Sequence, residues 1–178
     1  MHLLTDLHTI YGDLILEKGV EVTPIVIKKI REKGEQHEQV RVPLKNTEIF
    51  ADFKKVFDNN KYGNILKAAA VRKQIYGRAG KLAIENDIIF ELTTMKQNLP
   101  YTYRHVLIVA ALTIRLSLAY KPGKFDEETI THCGFTHDIG KTRIPISILN
   151  KPGKLTEEER KTMETHPIMG YLLLNYYL

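Results

Sequence analysis

The chain has 178 residues, of which 43% are hydrophobic and 26% are charged, as is ordinary for a globular protein with a sizeable core. A single cysteine, Cys133, excludes an internal disulfide framework, and its apolar helical surroundings predict a buried structural thiol in a reducing cytoplasm. The formal net charge of +5 favours anionic partners, but the basic residues are dispersed and tryptophan is absent, so nucleic-acid binding is not expected.

The first 45 residues predict a small α/β unit. The stretch DLILEKGVEVT has two short β-prone runs around the turn-like residues Glu17–Gly19. TPIVIKKIREKG then predicts a helix with Thr23 as its N-cap, Pro24 at its first position and Gly34 as its terminator. QVRVPL is a third candidate strand. The start of the chain lacks the basic region and long apolar run of a signal peptide.

From about residue 46 the pattern becomes helical. The long stretch NILKAAAVRKQIYGRAGKLAIENDIIFELTTMK predicts one long or one broken helix, with the break at Gly77 and Gly80. Before it, TEIFADFKKVFDNN predicts an amphipathic helix whose apolar face carries Ile49, Phe53, Val56 and Phe57.

A mostly apolar helix, TYRHVLIVAALTIRLSLAY, is predicted to begin just after Pro100. Its longest apolar run, residues 106–114, is far shorter than the ~20 residues that span a bilayer, so no membrane span is expected. Two KPGK turns follow, at residues 121–124 and 151–154.

The helices after these turns carry recognisable start signals. Asp126 is expected to cap the helix EETITHCGFTH, and Thr156 with Glu159 is expected to form a capping box. A last helix is predicted to start near Thr165 and Pro167.

The stretch FTHDIGKTRIPISILNKPGK places a histidine and an aspartate side by side. Two neighbouring residues serve one site most easily where a helix ends, and Gly140 fits such an end because glycine adopts the left-handed conformation. The imidazole of His137, the carboxylate of Asp138 and the ammonium of Lys141 are suitable parts for a metal site that binds phosphate. His132 is rotated away from His137 on the same helix and is interpreted as a non-ligand.

Two further histidines complete a candidate set. His105 near the start of the apolar helix, taken alone, is more typical of a core histidine, and His166 before Pro167 is more typical of a helix start. Together with the histidine–aspartate pair they form the pattern H…HDxGK…H, which indicates a shared site.

The segments YTYRHV, THDIGKTRIPISILNKPGKLTEEE and METHPIMG resemble, in order and spacing, the HD-GYP branch of the HD superfamily of metal-dependent phosphohydrolases. The resemblance covers about residues 46–178 and implies a mainly α fold: an HD-type helical bundle preceded by the small α/β unit of residues 1–45. It implies a phosphodiesterase of bacterial signalling that hydrolyses cyclic di-GMP, or another anionic nucleotide, in the cytoplasm.

The resemblance also implies roles for individual residues. In the family the first histidine, the HD pair and the later histidine bind metal, and they match His105, His137, Asp138 and His166. The lysine of HDxGK, which is Lys141 here, contacts the substrate phosphate, so Asp138 and Lys141 are the expected catalytic residues. Imidazole ligands favour Fe, Mn or Zn over Mg, and one bound ion or two bound ions both remain open.

The match to the family is incomplete at two places. Members with a third metal carry a glutamate where this chain has Tyr101, so at most two ions are expected. The family's His-His-Glu and GYP segments and a later aspartate have no counterpart before the final NYYL. We therefore expect an incomplete helical domain, weak or absent hydrolysis by this chain, and an exposed apolar LLLNYYL end that favours a homodimer.

Two alternatives stay open. The chain could be a degenerate HD domain that serves as a binding or regulatory module, or a generic HD nucleotide phosphohydrolase. The IPxSILxKPGKL stretch is typical of the HD-GYP branch and favours cyclic di-GMP over the generic alternative.

Overall fold

The fold is described from a computed structural model, which covers residues 2–37, 43–57, 68–120 and 126–177. These residues form helices and one two-stranded antiparallel sheet near the N-terminus. The predicted mainly α fold with a small α/β start is therefore confirmed.

The sheet pairs β1 (Leu7–His8) with β2 (Leu14–Leu16). The chain reverses at Gly12, whose φ of 94° is a left-handed conformation that glycine adopts without steric cost. The first predicted run is a strand, whereas the second forms only an isolated bridge between His2 and Glu21. The facing pairs of the sheet are Leu7 with Leu16 and His8 with Leu14.

Helix α1 (Pro24–His37) begins as predicted and ends later than predicted. The backbone N–H of Val26 donates to Thr23 Oγ1 at 3.3 Å, which confirms the N-cap. The helix continues through Gly34, because a glycine inside a helix costs only about 1 kcal/mol relative to alanine and helix-forming residues follow it. The third predicted strand falls largely on residues 39–42, which lie outside the described residues.

The helical part follows the predicted order of helices. The predicted apolar face of the first of these helices is buried, and the long helical stretch is broken at Gly80, whereas Gly77 lies inside a helix. The elements are α2 (Asn46–Phe57), α3 (Ala69–Ala79), α4 (Asn86–Asn98), α5 (Pro100–Ala119), α6 (Glu127–Thr136), a 3₁₀ helix (Ile139–Arg143), α7 (Ile146–Leu149), α8 (Glu157–Met163) and α9 (His166–Tyr177).

Helix α5 lies at the centre of the bundle and packs against α2, α3, α4 and α6. Its inner face is fully buried at Val106, Ala110 and Ile114. Helix α6 approaches closely at Gly134, where an added Cβ would lie 2.6 Å from the Cα of Ala110. Among the described helices, α5 is also the one that is long and apolar enough to cross a membrane, but its buried face belongs to the bundle core.

The free thiol of Cys133 is exposed on α6, so the prediction of a buried thiol is wrong. The apolar sequence around it is real, but the positions that face α5 are taken by neighbours such as Gly134 and Phe135. One apolar stretch in a helix thus leaves room for an exposed cysteine on its outer side.

A second buried cluster joins the two ends of the chain. Apolar side chains of the N-terminal unit pack against α9, and the backbone N–H of Ile146 donates to the carbonyl of Ile10 at 2.8 Å. The expectation that the LLLNYYL end is exposed is therefore wrong for Leu172 and Leu173, which the chain's own N-terminal unit covers. The cluster contains Leu3, Leu7, Ile15, Ile30, Met169, Leu172 and Leu173.

Candidate metal centre

The histidine–aspartate pair lies where α6 gives way to the 3₁₀ helix. Asp126 caps the start of α6, accepting from the N–H of Thr129 at 2.8 Å, as predicted. At its other end, His137 keeps helical dihedrals while Asp138 leaves them, with φ of −109° and ψ of 10°. Because the backbone changes direction between them, two adjacent side chains can turn toward one site.

Gly140 is needed for a reason other than the one predicted. It lies inside the 3₁₀ helix rather than in the left-handed conformation that ends helices. An added Cβ there would lie 2.0 Å from the carbonyl oxygen of His166 and 2.4 Å from the N atom of Gly170. Gly140 thus lets the first turns of α9 pack directly on the backbone of residues 137–141, which we call the HD segment.

This contact brings the candidate ligands together around Asp138. The Nε2 atoms of His137 and His105 lie 3.4 Å and 3.7 Å from its Oδ2. The Nε2 of His166 lies 3.5 Å from the other oxygen, Oδ1. Ligand atoms of His105, His137 and Asp138 all lie within 4.8 Å of one another.

Two of the imidazoles are held by backbone carbonyls. His137 Nδ1 lies 3.0 Å from the oxygen of Gly134, and His166 Nδ1 lies 2.7 Å from the oxygen of Met163. A carbonyl only accepts, so each Nδ1 carries a proton, and in the neutral ring Nε2 is the nitrogen left to bind a cation beside Asp138. Metal-binding histidines are commonly oriented in this way.

Lys141 shares the carboxylate with the histidines. Its Nζ donates to Asp138 Oδ2 at 2.8 Å, and its side chain is only 23% exposed. The ammonium therefore lies at the edge of the cluster rather than in open solvent, where it can meet an anionic group that approaches Asp138.

The charges of the cluster shift its pKa values. Burial alone would raise the pKa of Asp138, but hydrogen bonds from His137 and Lys141 and their positive charges outweigh it and hold the pKa well below its usual range. The hydrogen bond to Asp138 raises the pKa of His137. Burial lowers the pKa of His105, which keeps its imidazole neutral and able to bind a cation.

A buried ion pair that was not predicted supports the segment that carries Lys141. Arg143 donates from Nη2 to Glu91 Oε1 at 2.6 Å and from Nη1 to Oε2 at 3.2 Å, and both side chains are fully buried. This bidentate contact joins the end of the 3₁₀ helix to α4. A charged residue in each of two separate helices carries no spacing signal, so only the fold reveals the pair.

The donor set fits a divalent transition metal. Three imidazole nitrogens surround a carboxylate that is buried at 6% side-chain exposure, and this mixture of N and O donors suits Fe, Mn or Zn better than Mg. The geometry of His105, His137 and Asp138 provides for one ion, and His166 lies beside the other carboxylate oxygen, Oδ1.

Comparison with known proteins finds a family model that matches part of the chain and several relatives that are similar to it. Residues 102–178 match the HD domain model. The chain is 39% identical over 87 residues to a cyclic di-GMP phosphodiesterase of Pseudomonas aeruginosa, a match of 48% of this chain and 21% of that protein. It is 34% identical over 111 residues to a probable cyclic di-GMP phosphodiesterase of Vibrio cholerae, 57% of this chain and 25% of that one.

A third relative acts on a different nucleotide. The 3'3'-cGAMP-specific phosphodiesterase 2 of Vibrio cholerae is 39% identical over 74 residues, which is 42% of this chain and 14% of that protein. The chain thus spans at most a quarter of the length of these three relatives. No solved structure matches the chain.

Proposed function

We propose that residues 102–178, which match the HD domain model, belong to a metal-dependent phosphodiesterase of HD-GYP type that hydrolyses cyclic di-GMP. The observation that carries the proposal is the convergence of three imidazoles and one ammonium on the carboxylate of Asp138. Similarity to a cyclic di-GMP phosphodiesterase of Pseudomonas aeruginosa and a probable one of Vibrio cholerae supports the choice of substrate.

In this proposal His105, His137 and Asp138 bind one ion, and His166 is the fourth ligand, on the other oxygen of the carboxylate. Iron, manganese or zinc would fit, and one ion or two are compatible with the set. Such an ion, when bound, supplies Lewis acidity: it lowers the pKa of water and polarises a phosphoryl oxygen.

The protein's own part is to orient and to balance charge. The carbonyls of Gly134 and Met163 fix two imidazoles before any ligand arrives, so little ordering is left for the binding step. Lys141 is placed to balance the negative charge of a phosphoryl group that binds beside Asp138. In the proposal Asp138 and Lys141 are the catalytic residues, and Lys141 also binds the substrate.

We also propose a division into a small α/β unit, residues 1–45, and an HD-GYP-like helical domain, residues 46–178. The main buried cluster lies within the helical part, from Ile49 to Ile139, and supports the division. A second cluster packs the N-terminal unit against α9. The bacterial sources of the relatives and the single free cysteine support a place in the bacterial cytoplasm.

The alternatives differ in what they bind and cleave. A generic HD nucleotide phosphohydrolase would cleave mononucleotides as readily as cyclic dinucleotides, and a relative specific for 3'3'-cGAMP makes that dinucleotide a necessary comparison. A binding or regulatory module would bind a cyclic dinucleotide and cleave none.

A direct assay tests the proposal. We expect the Mn²⁺-loaded chain to cleave cyclic di-GMP in preference to 3'3'-cGAMP and GTP, and to do so below the usual ~1–10³ per second because four protein ligands hold a second ion weakly. Asp138→Asn should abolish both cleavage and metal retention, measured by chromatography and by metal analysis.

The matched control is His132→Ala. His132 is a half-buried histidine of α6 outside the cluster, so this variant should keep both cleavage and metal retention. A chain that neither binds nor cleaves cyclic di-GMP with Mn²⁺, Fe²⁺ or Zn²⁺ would contradict the proposal. A turnover in the usual enzyme range would contradict only the expectation of a weak second ion.

A further inference from the structure

Tyr101 presents an aromatic ring to solvent beside the metal centre. It lies in the first turn of α5 and is 84% exposed. It precedes His105 by four residues, so the two side chains share one face of the helix with about 5–6 Å between their Cβ atoms. Because helical side chains lean toward the N-terminus, the imidazole of His105 lies over the turn that carries Tyr101.

The centre is most open on this side. The side chain of His105 is 46% exposed, compared with 31% for His137 and 24% for His166. Yet the Nε2 of His105 is only 3.7 Å from the buried carboxylate of Asp138. A ligand that reaches Asp138 over His105 therefore approaches on the helix face that also carries Tyr101.

Tyr103, on the same helix as Tyr101, is an example of a tyrosine whose ring has a structural role. Tyr103 is 5% exposed and its hydroxyl donates to Asp52 at 3.1 Å, so it belongs to the bundle core. Within the described ranges, the Tyr101 hydroxyl makes no such bond to another side chain, and no second ring covers it. Packing thus accounts for Tyr103 but not for the position of Tyr101.

We infer that Tyr101 stacks on a nucleobase of a substrate whose phosphodiester lies at Asp138 and Lys141. The inference rests on the proposed function and narrows it to nucleoside phosphodiesters, as opposed to simple phosphate esters. A base is joined to its phosphate through one sugar, and one helical turn separates Tyr101 from the candidate ligand His105. Stacking on an aromatic side chain typically changes affinity by about 5- to 150-fold per base.

Binding measurements on the full Mn²⁺-loaded chain test this. Tyr101→Ala should weaken cyclic di-GMP binding about 5- to 150-fold in equilibrium dialysis, while the affinities for Mn²⁺ and for inorganic phosphate stay unchanged. Tyr101→Phe should bind cyclic di-GMP like the parent, because it keeps the ring. The matched control is Tyr120→Ala, which removes a ring that is 71% exposed just past the other end of α5. This variant should bind cyclic di-GMP with the affinity of the parent.

The outcomes separate this inference from the proposed function. Equal cyclic di-GMP affinity for Tyr101→Ala and the parent would overturn the stacking role and leave the proposed function standing. A parallel loss of phosphate or Mn²⁺ affinity would also overturn it, because Tyr101 would then shape the centre itself. A parent chain that binds Mn²⁺ and phosphate but no cyclic di-GMP would overturn both.

Discussion

Gly140 and Gly170 bring two backbone segments into contact at the candidate metal centre. The two glycines are not equivalent, since a Cβ at Gly170 would find its nearest neighbours at 3.5 Å, an ordinary contact. A Cβ at Gly140 would meet backbone atoms at 2.0 Å and 2.4 Å, and backbone cannot rotate aside as a side chain can. Of the two, Gly140 therefore sets how closely α9 approaches the HD segment.

We predict that Gly140→Ala lowers the free energy of unfolding by about 1–3 kcal/mol or more, the usual range for overpacking. Helix α9 must shift to make room, and His166 moves with it, so Mn²⁺ affinity should fall too. Urea unfolding and calorimetric titration measure the two effects. Gly77→Ala is the control: nothing lies within 4 Å of its added Cβ, and the helix should gain roughly 0.5–1 kcal/mol. Unchanged stability and metal affinity in Gly140→Ala would contradict the role.

Sequence reasoning separated His132 from the set and identified the residues that meet at Asp138, because a motif of four segments carries its own order and spacing. It gave the wrong reason for Gly140 and the wrong burial for Cys133. Both depend on which helix packs on which face, and the local sequence does not contain that information.

Among the secondary-structure elements, the 3₁₀ helix depends on α4 through one buried ion pair. Removing one partner of such a pair leaves a charge in the core, whereas replacing both by apolar residues is often neutral. We predict that Glu91→Leu alone and Arg143→Met alone each cost about 3–5 kcal/mol of unfolding free energy, and that the double change Glu91→Leu with Arg143→Met recovers most of it. Chemical denaturation of the parent, both single variants and the double variant gives the coupling. If the losses in unfolding free energy of the two single variants simply add in the double variant, the two side chains are not coupled and the prediction is wrong.

Helix α6 depends on the cap at its start. The side-chain hydrogen bond from Thr129, together with its backbone N–H, lowers the pKa of Asp126. The stabilisation is therefore complete above the ordinary aspartate pKa and is lost as the pH falls through the lower folded-state value. We predict that Asp126→Ala has a lower Tm than the parent at neutral pH, and that the gap closes in strong acid. Asp126→Asn should keep most of the cap and show no such closing, since asparagine caps equally well.

Helix starts were the best predicted features because their signals are local. The Thr156–Glu159 capping box is present as expected, with Thr156 Oγ1 accepting from Glu159 N–H at 3.2 Å. Strand β1 was missed because a strand of two residues is too short to show alternating polar and apolar residues. Its pairing with β2 depends on the turn at Gly12.

At the scale of the whole molecule, the N-terminal unit and the last described helix share a core. We predict that Leu7→Ala, at a position only 3% exposed, lowers the free energy of unfolding by about 2–5 kcal/mol. Because Leu7 packs in the cluster that covers α9, amide exchange should accelerate in α9 as well as in the sheet. Leu4→Ala, at 74% exposure, is the control and should stay within about 0.5 kcal/mol of the parent. Faster exchange confined to the N-terminal unit would show that the two parts are independent.

The change in composition near residue 45 indicated a boundary, and it could not indicate that the small unit packs on the far end of the chain. Contacts between residues so distant in sequence leave no periodic trace. The same limit explains why the LLLNYYL end was expected to be exposed, although Leu172 and Leu173 are buried.

The shared core also sets an order of events during synthesis. Leu3 and Leu7 leave the ribosome early, but their partners Met169 and Leu172 emerge only after almost the entire described chain has been made. Such non-local contacts form slowly, so the nascent N-terminal unit exposes its apolar face while it waits. His166 arrives on that same late helix, and Gly140 has nothing to pack against until it does. A newly made chain should therefore complete the cluster around Asp138 only after α9 has emerged and packed against both Gly140 and the N-terminal unit.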